Sequence, residues 1–110
     1  MTAFISVYVT ASSMAEAEMI AEALVEERLA ACVNILGAVR SVYRWQGAVQ
    51  RDGEVAFIAK TRAALFDMLA ARVKALHSYD TPCIAAWPIV AGDAAYLEWI
   101  RAETGQNSAQ

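Results

Sequence analysis

His77 and Cys83 stand at the two ends of a short proline-containing loop, His77-Ser78-Tyr79-Asp80-Thr81-Pro82-Cys83. A thiolate suits Cu(I) or zinc and an imidazole suits copper or zinc, so this pair reads as two candidate metal ligands. Cys32 adds a third if its strand runs beside that of Cys83. A closed zinc site takes four ligands, so water or another subunit has to complete this one, and the expected site is open rather than a structural staple. Each residue also has a plain packing role. A histidine that closes a helix meets the terminal carbonyls, an interaction of about 0.3–1 kcal/mol when the ring is charged. Cys32 in an apolar strand is by default a small buried hydrophobe, and Cys83 opening a strand packs as readily as it ligates.

Other side chains could bind without reacting. Tyr43 and Trp45, beside a glycine turn, offer flat faces that stack a ligand or fill a seam between subunits. Lys60, between Ala59 and Thr61 at a strand end, is placed to pair with Glu54 or Asp80 across an interface. Glu18, Glu22 and Glu26 form an acidic line at helical spacing, which reads as a solvated face rather than a Ca²⁺ or Mg²⁺ site. There is no glycine-rich phosphate loop, and the chain has one histidine, which leaves a Cys–His nucleophile pair unsupported. With no acid–base pair either, the sequence points away from an enzyme.

A small set of elements must position these residues. Residues 4–10 alternate as a strand, with Ile5, Val7 and Val9 on one face and Phe4, Ser6, Tyr8 and Thr10 on the other. Ser13 and Glu16 form a capping box that opens a helix to about Ala30, with Ala17, Ile20, Ala21 and Leu24 inward. Residues 30–61 then read as one long ribbon with a single strong reversal, where strands usually run about five or six residues. Gly37 interrupts it as a bulge. Asp52-Gly53 is the stronger hairpin dipeptide in general. A turn at Gln46-Gly47, however, pairs arms of similar length, so the reversal is placed there and Arg51-Asp52-Gly53 is read as a second bulge. Thr61 is expected to cap a second helix to about Leu76, with Leu65, Leu69, Val73 and Leu76 on one face. Pro82 biases Thr81 to an extended conformation. Residues 83–87 follow as a strand ending at Pro88, and Asp93 caps a short helix carrying Tyr96, Leu97 and Ile100. The order strand-helix-strand-strand-helix-strand is that of an α+β, ferredoxin-like βαββαβ fold, with a long central hairpin and a short C-terminal helix added. Its sheet packs both main helices on one face and leaves the other to be covered, most economically by a partner subunit.

Composition bounds the rest. Residues 1–105 are expected to form one domain and 106–110 a frayed tail, within the ~100–150 residues typical of a domain. Apolar residues make up 58% of the chain, a surplus for a lone domain of this size and a lean towards self-association. The net charge is −3, with no basic cluster beyond Arg72 and Lys74, so nucleic acid is not an expected partner. No apolar run reaches the ~20 residues of a membrane span. The start, Met1-Thr2-Ala3-Phe4-Ile5-Ser6, lacks the basic region of a signal peptide. Two cysteines outside any C-x-x-C pattern read as free thiols in a reducing cytoplasm.

Several segments together resemble the CutA divalent-cation tolerance proteins. They are Arg28-Leu29-Ala30-Ala31-Cys32-Val33-Asn34, Ser41-Val42-Tyr43-Arg44-Trp45-Gln46-Gly47, Glu54, Lys60-Thr61, the loop from His77 to Pro82, and Gly92 with Tyr96 and Trp99. The resemblance runs from the first strand to about Trp99. It implies a ferredoxin-like protomer, a tight homotrimer with PII-like assembly, and a link to copper and other divalent cations. It implies no enzyme, since the family has no settled reaction, and no obligate cofactor beyond a possible copper or zinc ion. The chain departs from the family at Cys83, where many members carry a glutamate after the proline, and at Val9, where some carry a cysteine. Both changes bear on the ion: losing the carboxylate weakens hard-cation binding, and a thiol favours soft cations. The nitrogen-regulatory PII-type trimers share this topology and assembly. By that analogy a small-molecule pocket at the subunit boundary would gather Tyr43, Trp45, Lys60, Tyr79 and Asp80. A structural trimer that presents a partner-binding surface is the remaining reading.

Overall fold

The computed structural model describes residues 3–105, and the tail expected over 106–110 lies outside the described residues. The elements are β1 (Phe4–Ala11), α1 (Met14–Glu26), β2 (Cys32–Trp45), β3 (Ala48–Arg62), a 3-10 turn (Ala63–Leu65), α2 (Phe66–Leu76), β4 (Ile84–Pro88) and α3 (Ala94–Glu103). The sheet order is β2-β3-β1-β4 with every neighbouring pair antiparallel. This is the ferredoxin-like α+β arrangement that the element order predicts. β2 and β4 are the two edges.

Strand alternation separates two very different faces. Val7, Val9, Phe57 and Ala59 are fully buried and meet Ile20 and Leu24 of α1 and Leu69 and Val73 of α2. Fully burying a side chain of this size stabilises by roughly 1.5–3 kcal/mol, so this layer is the main cohesion of the protomer. On the opposite face Phe4 and Ala31 pack against Ile100 of α3, which covers only one end of the sheet. The rest of that face stays open, paved by Tyr8 and Trp87, whose rings stack at 5.9 Å.

The hairpin outgrows its sheet. β1 pairs with residues 55–62 of β3, so residues 39–54 pair only with each other. The longest dimension of the molecule is 49 Å, against 27 and 22 Å across. The turn lies at Gln46-Gly47 as the arm lengths predict, with φ of 49° and 83°. Two successive left-handed residues make the type I′ geometry that suits the twist of a two-residue hairpin.

The expected bulge at Gly37 is present: the register steps from Ile35↔Phe57 to Gly37↔Ala56 and leaves Leu36 unpaired. One extra residue shifts the alternation of β2 by one. Ser41, Tyr43 and Trp45 therefore share the open face with Tyr8 and Thr10 instead of pointing to the helix side.

Four local expectations are corrected. The second bulge is absent, because Arg40↔Gly53, Ser41↔Asp52 and Val42↔Arg51 run in unbroken register. α1 ends at Glu26, not near Ala30, because Arg28 turns left-handed at φ 62°. The Arg28 and Leu29 N–H groups donate to the Val25 and Leu24 carbonyls, a Schellman closure built without glycine. Thr61 caps nothing: β3 runs through Arg62, and the buried Thr61 hydroxyl donates to the Leu29 carbonyl at 2.7 Å. β4 begins at Ile84, so Cys83 belongs to the preceding loop.

Candidate functional site

The open face, the hairpin and the 77–83 loop enclose a cleft of about 500 Å³. Its walls are Tyr8 and Thr10 from β1, Ser41, Tyr43 and Trp45 from β2, Glu54 from β3, and Tyr79, Asp80, Thr81 and Cys83 from the loop. The β2 residues reach it only because the bulge at Leu36 turned them to this side.

Hydrogen bonds fix much of the lining. The Ser41 hydroxyl donates to Glu54 Oε2 at 2.8 Å, and the Tyr43 phenol donates to Asp52 Oδ2. That bond, together with the charge of Asp52, pushes the Tyr43 phenol up to about 12. Burial raises the Tyr79 phenol, and the carboxylates of Glu54, Glu16 and Asp52 raise it further. Burial also raises the Cys83 thiol, with Glu54 adding to the effect and a hydrogen bond with Thr10 opposing it. Cys83 is thus a protonated thiol at neutral pH, a poor nucleophile that must lose its proton before it ligates.

The loop is held from beneath by Glu16. Ser13 caps α1 by accepting from the Glu16 N–H at 3.1 Å, which is half of the capping box. The other half is redirected, since the Glu16 carboxylate accepts from the Ser12 N–H and hydroxyl and from the Ser78 N–H at 2.8–2.9 Å. Burial pushes this carboxyl up, but the hydrogen bonds from Ser12 and Ser78 together outweigh it and hold the pKa at about 2. His77 lies alongside with its side chain wholly buried, Nδ1 3.9 Å from Glu16 Oε1. His77 Nε2 is 2.7 Å from the Thr10 carbonyl, and Nδ1 accepts from the Tyr79 N–H at 3.0 Å. A carbonyl on one nitrogen and an N–H on the other assign the proton to Nε2.

The residues predicted from sequence are thus divided. Tyr43, Trp45, Tyr79, Asp80 and Cys83 come together in the cleft. His77 backs the same loop, with both nitrogens bonded to backbone. Within the protomer Lys60 is elsewhere: its Nζ donates to Asn34 Oδ1 at 2.7 Å, and it lies 6.0 Å from the Tyr96 ring. Cys32 sits on the opposite edge strand from β4, its Sγ 3.5 Å from the Tyr96 hydroxyl, so it does not approach Cys83 within the protomer. Among the described residues no three His, Cys, Asp or Glu side chains are grouped to hold a metal ion. At the end of β1 it is Thr10, not the core residue Val9, that faces the cleft.

Sequence reasoning missed Tyr8, Thr10, Ser41 and Thr81 as lining residues, and offered Glu54 only as one of two partners for Lys60 across an interface. Alternation along the hairpin carried the missing signal, since Ser41, Tyr43 and Trp45 are spaced by two, as are Tyr8 and Thr10.

The sequence profile of the CutA1 divalent ion tolerance proteins matches residues 5–103. The chain belongs to the CutA family. It is 52% identical over 99 residues to the divalent-cation tolerance protein CutA of Thermus thermophilus, covering 90% of this chain and 96% of that protein. The solved structure of the Thermus thermophilus protein matches with a TM-score of 0.91 at 50% identity, covering 93% of this chain and 99% of that one. A CutA of Archaeoglobus fulgidus, described as periplasmic, matches with a TM-score of 0.88 at 45% identity over 91% of this chain and 97% of that one. The chloroplastic CutA 1 of Oryza sativa is 45% identical over 103 residues, which span 94% of this chain but 58% of that longer protein. The family is named for tolerance of divalent ions and not for a reaction. No helix among the described residues is long and apolar enough to cross a membrane.

Proposed function

We propose that this CutA-family chain acts in divalent-cation tolerance as a homotrimer that holds a copper or zinc ion at the boundary between subunits. The observation that carries the assembly is the uncovered hairpin and sheet face. Val42, Trp45, Val49, Trp87 and Val90 are between 45% and 86% exposed, more large apolar surface than an isolated domain usually leaves in one region. A second copy, then a third, would cover it.

The ion would take the Cys83 thiolate as its soft ligand, with His77 and Cys32 as the further ligands proposed from sequence. His77 joins only if its ring leaves the Thr10 carbonyl or the Tyr79 N–H. Cys32 joins only from a neighbouring subunit, because it lies on the far edge of its own sheet. The subunit boundary is the natural place for a site that one chain does not complete. The proposed compartment is the cytoplasm, on the ground that both cysteines are free.

Native mass spectrometry of the reduced protein, alone and with Cu(I) or zinc, tests both parts. The expected result is a trimer that takes up three ions and loses them in Cys83→Ser. A bare trimer would remove the metal site and leave the assembly. A monomer would remove the assembly, and a trimer that survives deletion of the hairpin tip, residues 44–49, would remove the hairpin as its seam.

The cleft itself favours a second reading, a small-molecule sensor of PII-like type. About 500 Å³ is within the range of small-molecule sites. Tyr43, Trp45, Tyr79 and Asp80 line it as that reading requires, and Lys60 does not.

A further inference from the structure

We infer that the outer face of α2 docks antiparallel against the α2 of a second copy, across a two-fold axis beside Ala71, and so joins one assembled unit to another.

This face lies outside the assembly proposed above. That assembly covers the open side of the sheet, whereas α2 packs on the opposite side through Leu69 and Val73. Ala64, Met68, Ala71 and Ala75 follow one another at steps of four, three and four and so form one stripe. All four are exposed, Met68 to 61%. The outer face of α1 is no rival, because Glu18, Glu22 and Glu26 would meet the same carboxylates on another copy.

The flanks of the stripe carry different charges. On the flank towards α1, Glu27 holds the Arg72 guanidinium, Nε to Oε1 and Nη2 to Oε2 both at 2.8 Å. On the other flank stand Asp67 and Lys74, both exposed and neither in an ion pair among the described residues. Seven residues separate them by about 10.5 Å along the helix, so they do not pair with each other.

Antiparallel packing about a two-fold axis sets like flanks side by side and reverses their order. An axis between the levels of residues 70 and 71 therefore places Asp67 opposite the Lys74 of the second copy, and Lys74 opposite its Asp67. The same axis brings Met68 level with position 73 of that copy, midway between its Ala71 and Ala75. Each thioether thus enters the gap between two small side chains. A parallel pair would instead lay the Asp67 flank against the Arg72–Glu27 bridge and leave both free charges unmatched. The eleven residues of α2 bury less than the ~1,600 Å² of a standard interface, so the contact is weak and forms at high protein concentration.

Sedimentation velocity of the full chain, from micromolar to millimolar protein, tests this. The wild-type mass is expected to climb from that of the dilute form towards at least twice that value. Met68→Glu, Asp67→Lys and Lys74→Asp should each hold the dilute mass throughout. Mixed after separate purification, Asp67→Lys and Lys74→Asp should associate again, because each supplies the charges that the other lacks. The dilute mass and thermal melting check that all three variants fold. A wild-type mass that stays constant would overturn the inference. Association that persists in all three variants would place the contact elsewhere and also overturn it. A mixture that stays apart while wild type associates would remove the antiparallel pairing, and the inference with it.

Discussion

Glu16→Gln isolates the contact that fastens the cleft loop to the first helix. The carboxylate accepts three hydrogen bonds, two from Ser12 and one from the Ser78 N–H, and its side chain is 10% exposed. Glutamine keeps the shape and one acceptor oxygen but removes the charge that makes these bonds strong. The folded-state pKa of about 2 lies below the unfolded carboxylate value. A depressed carboxylate stabilises the fold above its unfolded pKa, and that stability is lost as pH falls through the folded value. The whole shift corresponds to about 3.4 kcal/mol, and solvent at the exposed edge reduces it to roughly 2 kcal/mol. Urea unfolding of wild type and Glu16→Gln, at one fixed protomer concentration, should therefore differ by about 2 kcal/mol at pH 7. The difference should shrink steadily between about pH 4.5 and pH 2. Hydrogen exchange at Ser78 and Tyr79 should quicken in the variant, because the loop loses its tether. A gap that stays constant down to pH 2, or one below about 0.5 kcal/mol at pH 7, would refute the assigned role.

Two further substitutions probe how the hairpin is held. Thr61→Val leaves the Leu29 carbonyl without its buried donor and should cost about 1–3 kcal/mol in chemical denaturation. Gly47→Ala places a Cβ in open space but on a backbone at φ +83°. Its cost should be pure backbone strain, about 1–2 kcal/mol in the same assay, whereas Gln46→Asn at the adjacent left-handed position should stabilise slightly.

Where the sequence was readable, one signal dominated and nothing distant competed with it. The reversal at Gln46-Gly47 followed from the equal lengths of two alternating arms, which outweighed the stronger local preference of Asp52-Gly53. The ferredoxin-like arrangement followed from the order of the elements, and the helix-facing residues from alternation and helical spacing. Errors came where a long-range partner took over a local signal. Thr61 looks like a helix cap, but its hydroxyl is used by Leu29 in another element. Arg28 is a good helix former, yet it closes α1 in a left-handed turn with its guanidinium donating to the carbonyls of Ala102 and Gly105. The cleft was half legible: its aromatics and Asp80 were named, while Tyr8, Thr10 and Ser41 emerge only once register places them opposite the loop.

The single bulge residue Leu36 accounts for how one hairpin serves both proposed purposes. Without the extra residue, the even-numbered positions of β2, Arg40 and Arg44 among them, would keep the face set by Asn34, and Tyr43 and Trp45 would lie on the other side. The parity shift sorts the projecting half of the hairpin into an aromatic and acidic side that closes the cleft and an arginine and valine side that faces away. Both faces of the projecting hairpin leave large side chains bare, Val42 and Val49 on one and Trp45 on the other, and Trp45, which also lines the cleft, bears on both proposed purposes. A ligand seated against Trp45 at a subunit boundary would bind the assembled form in preference to the separated one. Occupancy of the cleft would therefore stabilise the proposed trimer by mass action.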